Sequence, residues 1–274
     1  MEHWICLTCG TQYAASEQPP AHCPSCEDER GPFTYRGPAW TTLEQMRQAG
    51  YHNTIQEHEP GLLGIGIEPA FGITQRALLV RTPQGNVLWD CISYLDDETR
   101  EAVKRLGGIQ AIAISHPHYY ASMVEWAHNF NAPIYLHEAD REWVMRPDKS
   151  IKFWSGETLV LMPGIELIRL GGHFPGGSVL HWKHAADGKG VLLAGDIISV
   201  VPNRPKVSFM YSYTTGLPLP ASEVRRIRDT IGAYEFERIY SAWSRREILN
   251  DASRVVHSSA ERYLSILEHF PGTD

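Results

Sequence analysis

Ser115-His116-Pro117-His118-Tyr119-Tyr120-Ala121 follows the apolar run Ile109 to Ile114, and its reading decides the fold. An apolar run of that length, closed by a proline, reads as a buried strand that delivers its last residues to a sheet edge. Two histidines two residues apart on extended backbone share a face and can reach one cation together. Two further segments repeat the pattern. Ile165 to Leu170 leads into Gly171-Gly172-His173-Phe174-Pro175-Gly176-Gly177, and Val191 to Ala194 leads into Gly195-Asp196. Three neutral imidazoles and one carboxylate suit zinc, iron or manganese, with a position left for water. His116, His118, His173 and Asp196 are therefore the expected ligands of one metal ion. The bland alternative is three unrelated, hydrogen-bonded histidines and a turn aspartate.

A second metal pattern opens the chain. Four of the five cysteines fall in the first 26 residues, as Cys6-x2-Cys9 and Cys23-x2-Cys26. Each x2 loop is tight enough to aim two thiolates at one ion, and four thiolates close a tetrahedral site. Gly10 and Pro24 supply the turns. Cys6-Leu7-Thr8-Cys9-Gly10 and Cys23-Pro24-Ser25-Cys26 resemble rubredoxin and zinc ribbons over about 30 residues. Glu27 stands where rubredoxin has glycine, which favours zinc over iron. Cys91 lies apart and reads as a packed thiol.

The chain has 274 residues, 43% hydrophobic and 21% charged, and a formal net charge of −7. A packed core is expected and a general nucleic-acid surface is not. No apolar run approaches the roughly 20 residues that span a bilayer. The first residues lack the basic and apolar regions of a signal peptide, so a cytoplasmic location is expected. In a reducing compartment clustered cysteines read as metal ligands rather than disulfides.

Along the chain, Ala77–Arg81 and Asn86–Asp90 flank Thr82-Pro83-Gln84-Gly85 as a hairpin. Helices are expected over Asp96 to Leu106, Tyr120 to Phe130, from an N-cap at Ser222 through Ile231, and over Asp251 to His269. Strands are expected at Pro133 to Leu136, Thr158 to Met162, Ile165 to Leu170, Ser178 to Lys183, Val191 to Ala194 and Glu237 to Ser241. The domain reading is a ribbon-like segment over residues 1–35, a connector over 36–60 with a short helix, and one large domain over 61–274.

His-x-His after a strand, then Gly-Gly-His-x-Pro-Gly, then Gly-Asp after another strand, resembles the metallo-β-lactamase superfamily from about Gly61 onward. The resemblance implies an α+β fold, a four-layer αββα sandwich. It also implies a metal-dependent hydrolase of a small-molecule ester, thioester or lactone. The family motif His-x-His-x-Asp-His is matched by His116 and His118 only. Tyr120 replaces the Asp, Ala121 replaces the second-metal His, and Tyr240-Ser241-Ala242-Trp243-Ser244 holds no late-strand His. The resemblance thus implies one intact ion site and a dismantled second one. Tyr120 is a candidate oxyanion donor, competing with a buried start to the following helix. Asp196 is the candidate catalytic carboxylate. His137, at the end of another strand, is a candidate substitute ligand. Two other classes stay open: a binding or scaffold protein of this fold, and an iron redox protein. Homo-oligomerisation also stays open.

Overall fold

The computed structural model describes residues 1–32 and 37–268. The expected segment boundary at residues 35 and 36, and His269, lie outside them. Two compact units divide the chain at Trp154 and Ser155.

Unit 1 begins with the cysteine segment. Strand β1 (Ile5–Cys6) pairs with β2 (Trp40–Thr41), and helix α1 (Pro24–Glu27) carries the second cysteine pair. Helix α2 (Leu43–Gln48) starts on a capping box, in which Thr42 accepts from the Gln45 amide and the Gln45 side chain accepts from the Thr42 amide. The main sheet then runs β3 (His52–Glu59), β4 (Leu62–Glu68), β5 (Ala77–Thr82), β6 (Gly85–Trp89), β7 (Ala111–Ala113), β8 (Ile134–His137) and β9 (Ile151–Trp154), paired in chain order. The first four strands are antiparallel and the last pairings are parallel. The parallel strands require crossovers. Helix α3 (Asp97–Arg105) joins β6 to β7, and α4 (Met123–Phe130) joins β7 to β8. Asp96 caps α3 by accepting from the Thr99 amide, and Gly107 and Gly108, both at positive φ, end it. The loops after β6, β7 and β8 therefore emerge at one sheet edge, where open parallel sheets place their ligands.

Unit 2 holds the sheet β10 (Thr158–Met162), β11 (Ile165–Arg169), β12 (Ser178–Trp182), β13 (Val191–Gly195), β18 (Arg238–Ser241) and β19 (Glu247–Ile248), in that spatial order. Only β13 and β18 pair in parallel. The short turn α5 (Ala185–Gly188) precedes β13, and two small ribbons follow it. These are β14 (Ser199–Val200) with β15 (Val207–Ser208), and β16 (Met210–Ser212) with β17 (Leu217–Pro218). Helices α6 (Ala221–Ile231) and α7 (Ala252–Glu268) cover a core that includes Ile168, Leu192, Phe209, Val224, Ile227, Ile239, Val256 and Leu264. The register of β12 against β13 puts the β11–β12 loop and the end of β13 at the same end of this sheet.

Three expectations change. Helix α6 starts at Ala221 with Pro220 at its cap position, so Ser222 is inside the helix and not its N-cap. Strand β3 falls in the segment expected as connector; its burial shows no alternation and its sequence is mostly polar, which hides it. Tyr120 precedes α4 rather than starting it. A 3-10 turn over Pro117–Tyr119 comes first, and Ala121 interrupts at φ +43.

Candidate metal centre

The Ser115–His118 segment is built by the end of β7. Asp90, at the end of the neighbouring β6, accepts the Ser115 amide on Oδ1 at 2.8 Å and fixes the turn. Ser115 Oγ lies 2.9 Å from His116 Nδ1. Donation from Nδ1–H to that hydroxyl leaves the Nε2 lone pair for a cation. The His116 ring packs edge-on against both His118 and Tyr119, with centroids 5.1 and 4.4 Å away.

His173 occupies the loop between β11 and β12. Gly171 and Gly172 sit at φ +62 and +80, a backbone that a side chain would strain. A Cβ on Gly172 would also come within 2.9 Å of Leu219. His173 Nδ1 donates to the Tyr211 carbonyl at 2.6 Å, which again presents Nε2 as the ligand nitrogen. Asp196 follows β13, and the Tyr213 hydroxyl donates to its backbone carbonyl at 2.7 Å. The Tyr213 ring also packs edge-on against His173, with centroids 5.7 Å apart. Removal from water and the nearby Asp196 charge hold the Tyr213 phenol well above its ordinary range, so it stays a donor.

His116, His118, His173 and Asp196 are a group able to hold one metal ion: each offers one ligand atom, and the four atoms lie within 4.8 Å of one another. Their exposures are 1%, 6%, 1% and 3%. Buried imidazoles and a buried carboxylate gathered within one cation's reach are a donor set that fits zinc or a related first-row metal. His137 is outside this group. Its Nδ1 accepts the Ala139 amide at 3.2 Å, which puts the neutral ring's proton on Nε2, and its ring packs edge-on against Trp154.

Tyr120 is buried, and its hydroxyl makes a long contact of 3.5 Å to the Asp140 carbonyl. Burial and the Asp140 charge push its phenol well above its ordinary range. It can donate a hydrogen bond but cannot serve as a base. At the late-strand position, Ser241 is fully buried and accepts the Val200 amide at 2.9 Å. That side chain holds the backbone after Asp196. Trp243 is half-buried beneath the Arg246 guanidinium.

Cys6, Cys9, Cys23 and Cys26 form the second ligand group, also within 4.8 Å of one another. Cys6 Sγ lies 3.7 Å from Cys26 Sγ, and Cys9 Sγ lies 3.6 Å from Cys23 Sγ. Hydrogen bonds from the neighbouring thiols pull Cys6 and Cys23 below the ordinary thiol range. The Tyr13 hydroxyl donates to Cys23 Sγ at 3.2 Å, and Thr11 Oγ1 lies 3.3 Å from Cys9 Sγ. Cys91 is fully buried, and burial raises its thiol pKa, as befits a packed and inert cysteine.

Tyr211 and Tyr213 contact the candidate ligands in ways that the motifs do not reveal. Their only sequence signal is the aromatic run Phe209-Met210-Tyr211-Ser212-Tyr213, which reads equally well as a packed connector.

No family model matches the chain. The uncharacterized protein YmaE of Bacillus subtilis strain 168 is 51% identical over 268 residues, which is 97% of this chain and 97% of that protein. Among solved structures, the DIM-1 metallo-β-lactamase superposes with a TM-score of 0.56 at 15% identity, over 77% of this chain and 98% of its own. A metallo-β-lactamase of Cronobacter sakazakii with a HARLDQ motif gives 0.50 at 18% identity, over 78% and 93%. At such identities the likeness shows the fold, and the α+β metallo-β-lactamase fold is the one expected from the motifs.

Proposed function

We propose that this chain, which belongs to one family with YmaE and has the metallo-β-lactamase fold, is a metal-dependent hydrolase working with a single ion at His116, His118, His173 and Asp196. The observation that carries the reading is the convergence of these four buried ligands while the second-site positions hold Tyr120, Ala121 and Ser241. A zinc-class ion held there would polarise a carbonyl oxygen and lower the pKa of a bound water.

The chain's own groups do the positioning. Ser115 and the Tyr211 carbonyl orient the rings of His116 and His173. The Tyr213 hydroxyl anchors the Asp196 backbone, so the carboxylate is presented in a fixed place. Asp196 is the buried carboxylate of the set and the group suited to accept a proton from water. Tyr120 keeps its proton at neutral pH and is the candidate donor to a developing oxyanion. The substrate class that we assign is a small ester, thioester or lactone, since these expose a carbonyl whose leaving group needs little protonation. All five cysteines are free, in keeping with a cytoplasmic location and with zinc at the knuckle. Among the described residues no helix is long and apolar enough to cross a membrane.

The test is turnover of a panel of activated esters, thioesters and lactones by wild type, His116→Ala, His173→Ala and Tyr120→Phe at matched metal loading. Both histidine variants are expected to be inactive. Tyr120→Phe is expected to retain the fold and to lose about 10²- to 10³-fold in rate if its hydroxyl meets the oxyanion. Turnover that survives both histidine variants would refute metal catalysis. No turnover by metal-replete wild type would leave a binding protein of this fold.

A further inference from the structure

The knuckle loop is wired to the segment that carries His116 and His118. Cys9 is a knuckle ligand, and three residues on, the Gln12 amide donates to the Ala121 carbonyl at 3.1 Å. Ala121 lies three residues after His118. It is a buried alanine at φ +43, a backbone state that persists only where surrounding contacts hold it. On the other side, Ser93 Oγ donates to the Gly10 carbonyl at 2.8 Å, and a Cβ on Gly10 would sit 2.4 Å from that oxygen. Ser93 belongs to the loop after β6, whose Ile92 carbonyl accepts from Ser122 Oγ and Trp126 Nε1 at 3.0 and 3.1 Å. The Ala14 amide donates to the Met145 carbonyl at 3.0 Å, and Met145 packs on the cysteine cluster. After the last cysteine, Asp28 is paired with Arg30 at 2.6 Å, and Arg30 lies over the Trp143 ring. The knuckle thus grips the loops after β6 and β7 and the segment after β8, which are the loops at the ligand-bearing edge of the sheet in unit 1.

From this geometry we infer that the ion at Cys6, Cys9, Cys23 and Cys26 is a positioning element of the histidine site: filling the knuckle tightens metal binding at His116 and His118 through the Gln12–Ala121 and Ser93–Gly10 contacts. Four thiolates around one ion order a segment too small to build its own core. The ordered Gly10–Gln12 loop then holds Ala121 in its left-handed turn, and with it the end of the turn that bears His118. Without the ion that clamp loosens, and the two ligands must be ordered by the incoming metal instead. Coupling between sites is reciprocal, so emptying the histidine site weakens the knuckle by the same factor.

This rests on the single-ion reading of the histidine site, and cobalt(II) separates the two ideas. Cobalt bound to thiolates gives an intense sulfur-to-metal charge-transfer band. Cobalt bound to imidazole and carboxylate gives weaker visible bands without it. Full-length wild type, Cys9→Ser with Cys23→Ser, and Ser93→Ala are titrated with cobalt against a competing chelator. The double variant is expected to lose the thiolate band and to bind cobalt at the histidines about five- to a hundredfold more weakly. Ser93→Ala leaves every ligand in place, and there the expected loss at the histidines is about two- to fivefold, with the thiolate band kept. That single variant tests the coupling even where the double variant does not fold. Histidine-site affinity equal to wild type in Ser93→Ala and in a folded double variant would overturn the coupling. Absence of the nitrogen and oxygen bands in wild type would overturn the metal reading itself.

Discussion

At the scale of single residues, the candidate centre is held in place by groups outside its four ligands. His173 is oriented by a carbonyl of the Tyr211 backbone, and Asp196 is anchored by the Tyr213 hydroxyl. Removing such outer partners commonly costs about 10- to 100-fold in metal affinity. Tyr213→Phe keeps the ring against His173 and deletes only the hydroxyl. We expect about a tenfold loss of affinity at the histidine site, measured by chelator competition, with the thermal transition moved by only a few degrees. Unchanged affinity would show that Asp196 is held by its strand alone. The four ligands are legible in the sequence because each ends a short apolar run and sits in a glycine- or proline-marked turn. Tyr213 is not legible, because one tyrosine in an aromatic run carries no spacing that separates a positioning role from packing. Tyr120 shows the same limit. Its identity is plain in the motif, but a sequence cannot say that its hydroxyl faces the Asp140 carbonyl.

At the scale of elements, β3 to β5 carry a latent acid sensitivity. His58 on β3 lies 2.9 Å from the buried Arg76 guanidinium beside β5. Burial first, and the Arg76 charge second, lower its pKa to about 4. An unfolded histidine titrates near about 6.5. Between those values the unfolded chain binds the extra proton, so stability present above about pH 6.5 is lost as the pH falls toward 4. His58 is half exposed, so solvent screening reduces the effect to about 1 kcal/mol. Urea unfolding at pH 7 and pH 5 is expected to show a smaller acid loss for His58→Gln than for wild type. An equal loss in both would place the sensitivity elsewhere. An N-cap and closing glycines make α3 readable, and short apolar runs make β10 and β13 readable, to within a residue or two. Strand β3 is missed because His52–Glu59 is rich in polar residues, and the start of α6 is misread because Ser222 looks like a cap while Pro220 already occupies that place.

At the scale of the whole molecule, the chain gathers two ligand groups, the four cysteines and the three histidines with Asp196. Ala121 and Ser241, by contrast, serve the backbone, one in a left-handed turn and one bonded to the strand after Asp196. The cysteine knuckle belongs to unit 1 by its contacts rather than hanging from it as an appendage. The central claim is that one ion at the histidine site is sufficient for hydrolysis. Metal-free protein should first be given zinc until the knuckle is filled, then titrated further while turnover of the best ester, thioester or lactone is recorded. The account predicts that activity rises linearly over one further equivalent and then stays flat. A rise that requires a second equivalent at the histidines, or no turnover at any loading, would contradict it.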